Sequence, residues 1–218
     1  PLALQFMAMG CHAFILDYSV APNHFPTSVR ELGEAVAYIR EHAAEWKVDP
    51  AKIIVCGSSA AGHLACSLGV FWDNELVYDA IGRTPAQIRP DGLILCYPVI
   101  TGGEYAHVNS FKRLLGDDVT QEQRDAVSLE NFVTEQTPRA FIWHTYTDEN
   151  VPVENSLLLA AAMKRKNVNF ELHIYPTGGH GLSLADEETA GNGFQVVEQC
   201  QSWIPLVKMW LKHFEASC

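Results

Sequence analysis

The stretch "IIVCGSSAAGHLA", residues 53–65, changes character at its middle. Ile53, Ile54 and Val55 form the kind of short β-branched run that makes a buried strand, whereas "AAGHLACSLGVF" from Ala60 onward reads as a helix. Between them stand Gly57, Ser58 and Ser59. A strand that turns sharply into a helix thrusts one side chain out at the strand's carboxyl end, and here that side chain belongs to Ser59. Ser59 is either a helix cap or a nucleophile, and the rest of the chain has to decide between them.

Working outward, the same alternation repeats. "GLILCYP" (92–98), "AFIWHT" (140–145) and "FELHIYP" (170–176) read as further strands, with "NSLLLAAAMKRKN" as a helix between the last two. Near the start, a short first helix ends at Gly10 and "AFILDY" (13–18) reads as a buried strand. "PTSVRELGEAVAYIREHAAEW" then places Val29, Leu32, Val36, Ile39 and Ala43 on one helical face, with Ser28-x-x-Glu31 resembling a capping box. The closing "SWIPLVKMWLKHF" aligns Trp203, Val207, Trp210 and Phe214, a helix that should cover one face of the sheet. Alternating strands and helices predict a mostly parallel α/β sheet with helices on both faces. Residues 102–137 are polar and break the rhythm, which predicts a cap-like helical excursion over the sheet edge within a single domain, 1–218.

Composition narrows the partners. A chain of 218 residues with 48% hydrophobic content can bury one core, and a formal net charge of −11 without clustered Lys and Arg excludes nucleic acid. Cys11, Cys56, Cys66, Cys96, Cys200 and Cys218 are scattered without a Cys-x-x-Cys pair and read as reduced thiols, mostly packing residues. The opening "PLALQFMAMGCHAFIL" is apolar, but it lacks a basic leader and is interrupted by Gly10 and His12, a poor signal peptide or membrane span. The expectation is a soluble, cytoplasmic protein with no membrane partner; self-association stays open. His12, His24, His42, His107 and His213 show no metal-ligand spacing, so neither a metal nor another cofactor is expected.

A serine is inert near neutral pH unless an imidazole accepts its proton and a carboxylate fixes that imidazole's tautomer. "HTYTDENVPV" supplies Asp148 just after one strand, and "YPTGGHGL" supplies His180 just after the next. Ser59, Asp148 and His180 thus follow one another in chain order, each where a strand ends. Gly57 relieves crowding before Ser59, and Ala61 stands where such turns often have a second glycine. His63 lies one turn on and reads as packing beneath the turn. His144 and His173 fall within strands, as core or surface positions. Asp17, Asp117, Asp118 and Asp186 read as turn, loop or helix-start residues, and Glu149 is the nearest rival to Asp148.

"FILDYSVAPNHFP", "VCGSSAAGHLA", "HTYTDENVPVENS" and "IYPTGGHGLSLA" together resemble the α/β-hydrolase esterases, in the hormone-sensitive-lipase-like and acetyl (xylan) esterase branch. The resemblance implies Ser59 as nucleophile, His180 as general base and then acid, Asp148 as its orienter, and the Ala60 N–H as an oxyanion donor. It implies a serine carboxylic-ester hydrolase acting on a small-molecule ester, foremost an acetyl ester of a carbohydrate. Such families carry a His-Gly-Gly or Gly-Gly-Gly loop before the first helix, and this chain begins just beyond that point. The expectation is therefore an N-terminal extension of several tens of residues that supplies the loop and further strands, because Gly102-Gly103 follow a different strand and cannot replace it. The alternatives are a prolyl-oligopeptidase-like serine peptidase, with the same elbow and residue order, and an inactive hydrolase-scaffold fragment.

Overall fold

A computed structural model describes residues 1–215, except for the side chains of His213 and Glu215. Cys218 and the His213 imidazole read above lie outside the described residues. The described strands are β1 (Ile54–Ser58), β2 (Gly92–Cys96), β3 (Arg139–Thr145) and β4 (Phe170–Tyr175), all parallel and in the order β1-β2-β3-β4. Six longer helices accompany them: α1 (Leu2–Ala8), α2 (Thr27–Glu41), α3 (Ala60–Phe71), α4 (Val108–Leu115), α5 (Glu154–Arg165) and α6 (Trp203–Glu215). The parallel sheet flanked by helices that the alternation predicts is present.

Strand side chains alternate between two packed faces, so each strand contributes to two cores. Leu93, Leu95, Ala140 and Ile142 pack with α2, α3 and α5 on one side. Ile94, Cys96, Phe141 and Trp143 pack on the other with Trp203, Val207, Trp210 and Phe214 of α6. Trp143 stacks on Trp203 at 5.4 Å between ring centroids, which fixes α6 against the middle of β3. Strands buried on both faces carry continuous apolar runs, and this is why β2 and β3 stand out in the sequence, whereas β4 is only half-buried and alternates apolar residues with Glu171 and His173.

Residues 13–18 depart from expectation. They belong to no strand; Ile15 is 86% exposed and Phe14 50%. An apolar run becomes a strand only beside a hydrogen-bonding neighbour, and β1 is the edge of the described sheet, paired with β2 alone. The same open edge leaves Cys56 exposed rather than packed. The capping box is also corrected. α2 opens at Thr27 behind Pro26, which places Ser28 inside the first turn, and no side chain caps the helix. Glu31 instead accepts hydrogen bonds from the Ser19 N–H at 2.7 Å and the Ser19 hydroxyl at 2.5 Å, tying the 13–20 segment to α2.

Within residues 102–137, α4 lies against α3: Phe111 meets the His63 ring edge-on at 5.7 Å. His63 is buried, its Nε2–H donating to the Val127 carbonyl at 3.0 Å while the Ser67 hydroxyl bonds Nδ1 at 3.2 Å. Burial pushes this imidazole down to about 4, outweighing the Val127 contact, which acts in the opposite direction. A folded-state value below the unfolded value of 6.5 means that stability is fully present above about 6.5 and lost as pH falls toward 4. The whole effect is on the order of 3 kcal/mol. Urea unfolding should therefore show a lower midpoint at pH 5 than at pH 7.5, and His63→Asn should flatten that dependence; equal pH dependence in both proteins would remove His63 as its source.

Candidate active site

Ser59 sits between β1 and α3 with φ 55° and ψ −119°, a conformation that non-glycine residues rarely adopt and that costs on the order of 1–3 kcal/mol. Its backbone is clamped from the end of β2. The Ser59 N–H donates to the Cys96 carbonyl at 3.0 Å, and the Ser59 carbonyl accepts from Val99 at 3.1 Å and from His63 at 3.2 Å. Gly57 is required by the same turn, since a Cβ there would stand 2.0 Å from the Ala61 carbonyl oxygen. Ala61 itself fits the turn with its Cβ in place. The Ala60 N–H lies in the first turn of α3, among the donors that a helix leaves unpaired.

His180 reaches Ser59 from the loop after β4. Its Nε2 is 2.6 Å from the Ser59 Oγ, and its Nδ1–H donates to the Asp148 Oδ2 at 2.7 Å. The structure thus joins Ser59, His180 and Asp148 in one chain of hydrogen bonds, while Glu149 takes no part in it. Two threonines lock the Asp148 and His180 loops together. Thr145 and Thr147 hydroxyls both donate to the Gly178 carbonyl at 2.9 Å, and the Gly178 N–H bonds back to Thr147 at 2.9 Å. Gly178 has φ 144°, and a Cβ would come within 2.7 Å of the Thr145 methyl, so only glycine fits this crossing.

Asp148 has no exposed side-chain surface. Burial raises a carboxyl group, but donation from His144 and His180 and from the Val151 N–H outweighs it and holds Asp148 below the ordinary carboxylate range. Oδ1 accepts the Asn150 and Val151 N–H groups, both at 3.0 Å. Oδ2 faces His180 and, at 3.4 Å, the Nε2 of fully buried His144.

Sequence reasoning missed three neighbours of the site. Tyr97, with φ 38°, sets its ring edge-on to His180 at 5.2 Å, and its hydroxyl accepts the Ser183 N–H at 3.0 Å, pinning the chain just beyond His180. His107, at the start of α4, is displaced below the ordinary imidazole range by partial burial and by the proximity of His180. His144 is the third, and its place four residues before Asp148 was the one hint in the sequence. A cavity of about 110 Å³ beside Ala60 is lined by Val20, Phe25, Val99, Phe111 and Leu114 among others. Among the described residues no group of three His, Cys, Asp or Glu could hold a metal, and no helix is long and apolar enough to cross a membrane.

Comparisons with known proteins agree with this architecture. The chain is 39% identical over 195 residues to endo-1,4-beta-xylanase B of Butyrivibrio fibrisolvens, covering 85% of this chain and 30% of that protein. It is 28% identical over 180 residues to the acetylxylan esterase of Xylanibacter ruminicola, covering 80% and 35%. It therefore spans about a third of the length of these curated relatives. Among solved structures, the acetyl ester-xyloside bifunctional hydrolase of Caldicellulosiruptor lactoaceticus superposes with a TM-score of 0.87 at 37% identity, covering 99% of this chain and 76% of that one. A carboxylesterase from Lactobacillus plantarum WCFS1 gives a TM-score of 0.84 at 29% identity, covering 99% and 78%. The BD-FAE family matches residues 2–163, most of the chain. A strained serine between strand and helix, the parallel sheet that carries it and this extended match establish that the chain belongs to the BD-FAE family of α/β hydrolases.

Proposed function

We propose that the protein is a serine carboxylic-ester hydrolase that removes small acyl groups, foremost acetyl, from carbohydrate esters. The observation that carries this reading is the 2.6 Å contact from Ser59 to His180, continued at 2.7 Å to a buried carboxylate. Ser59 Oγ attacks the ester carbonyl carbon as His180 Nε2 takes its proton, and the oxyanion that forms is met by the Ala60 N–H. His180 then passes that proton to the departing alcohol oxygen as the C–O bond breaks, leaving the acyl group on Ser59. Water attacks the acyl-enzyme with His180 again acting as base, and the acid leaves as Ser59 recovers its proton. Asp148 keeps the proton-bearing Nδ1 of His180 turned toward it throughout.

The preference for a small acyl group rests on the acetyl esterases among the relatives. The carbohydrate part of the proposal rests on the xylan-related names of the relatives. Residues 102–137 act in it as a wall over the site, and a cytoplasmic setting accords with cysteines that lack paired spacing.

A fluorophosphonate should add once to the chain, on Ser59, and the adduct should vanish in Ser59→Ala and His180→Ala. The purified protein should release acetate from acetylated xylo-oligosaccharides faster than it cleaves octanoyl esters. Ser59→Ala should lower kcat on the order of 10⁶-fold with the fold retained. Preference for aminoacyl-arylamides over acetyl esters would instead favour a peptidase, and ester turnover undiminished in Ser59→Ala would end the proposal. Gly57→Ala should abolish labelling, because the turn cannot hold Ser59 in place with a Cβ against the Ala61 carbonyl.

A further inference from the structure

We infer that His144 is a positioning residue for the Asp148–His180 pair, setting one N–H beside the carboxylate oxygen that His180 uses and thereby tempering the basicity of His180. This deepens the reading of Ser59, His180 and Asp148 as an active site and rests on it.

The geometry assigns the proton. His144 is fully buried on β3, with its Nε2 2.9 Å from the Val151 carbonyl and 3.4 Å from Asp148 Oδ2. A carbonyl and a carboxylate can only accept, so Nε2 carries a hydrogen, which bonds the Val151 carbonyl and lies beside Oδ2 as a longer electrostatic contact. On the other side of the ring, Nδ1 is 2.8 Å from the hydroxyl of Ser156, itself fully buried in α5. Ser156 therefore holds the ring plane, and Val151 accepts what the ring donates, with Asp148 beside it. Nothing about backbone packing demands a polar ring between two hydrogen-bonding partners at this depth.

The consequence follows from competition at one oxygen. Oδ1 is occupied by two backbone N–H groups, leaving Oδ2 to serve both histidines. Each donor that stabilises the carboxylate leaves less negative potential for the His180 imidazolium formed during reaction. Without the His144 donor, Asp148 would attract that imidazolium more strongly, raising the pH at which His180 becomes the neutral base. The other titratable groups facing the pair are Tyr97, edge-on to the His180 ring, and His107 at the start of α4. Both remain in place when His144 is changed.

The test is the pH dependence of kcat/KM on p-nitrophenyl acetate, in the whole chain, for the parent, His144→Phe, His144→Gln and Ser156→Ala. In His144→Phe the acid limb should move up by about half to one pH unit. His144→Gln places an amide N–H near the former Nε2 and should return the limb toward the parent value. Ser156→Ala, which loosens the ring without removing it, should shift the limb in the same direction by less. A folded His144→Phe with an unmoved acid limb, or a Gln variant shifted as far as Phe, would overturn the inference. If His144→Phe does not fold, an unmoved limb in folded Ser156→Ala does so instead. Nitrogen-15 NMR of histidine-labelled parent reads the tautomer directly, and a His144 ring protonated only at Nδ1 would overturn it without reference to activity. A parent whose Ser59 takes no fluorophosphonate label removes the active-site reading and this inference with it, whereas a labelled parent beside an unmoved Phe variant removes only His144.

Discussion

The backbone of Ser59 is the constraint around which the rest of the structure is arranged. A serine at positive φ is unfavourable by itself, and it persists because neighbouring segments hold both of its peptide groups. The end of β2 takes its N–H, and the chain just beyond β2 and the first turn of α3 donate to its carbonyl. Those bonds require β1 and β2 to be in their observed parallel register, with Ser58 opposite Cys96. The register in turn requires the apolar faces of both strands to be covered, by α3 on one side and α6 on the other. Core packing and the placement of one hydroxyl are thus a single problem.

The partners of Ser59 come from the two strands farthest along the sheet, so their loops need a separate lock. The Thr145–Thr147–Gly178 crossing provides it, and Tyr97 extends it by filling the space under His180 while holding Ser183. Electrostatics works in the same direction as geometry. Burial would disfavour an ionised Asp148, yet the donors around it outweigh burial, so the carboxylate remains charged and in place.

Most of this was legible in the sequence for identifiable reasons. The central strands β2 and β3 are buried on both faces and therefore appear as unbroken apolar runs, and α2 and α6 carry helical stripes that the structure buries. The strand expected at 13–18 failed because apolar composition says nothing about whether a neighbour exists to pair with it. Ser28 and Glu31 had the spacing of a capping box, but Glu31 is engaged by Ser19, twelve residues away, a contact that no local pattern contains. Ser59, Asp148 and His180 could be picked out because each lies at a strand end among turn residues. Tyr97 and His107 could not, since each acquires its place only when segments from different strands meet, and His144 offered no more than its spacing from Asp148.

The two oxygens of Asp148 are constrained by different kinds of chemistry. Oδ2 is served by side chains, so its surroundings depend on residue identity, whereas Oδ1 is served by the peptide N–H groups of residues 150 and 151. A peptide donor is indifferent to the side chain attached to it, provided that the residue is not proline. Asn150 is exposed and Val151 fully buried. Position 150 can therefore accept many side chains without loss of this contact, and position 151 is restricted by the core into which it packs. Two adjacent residues that make the same contact thus differ in how much substitution their surroundings allow.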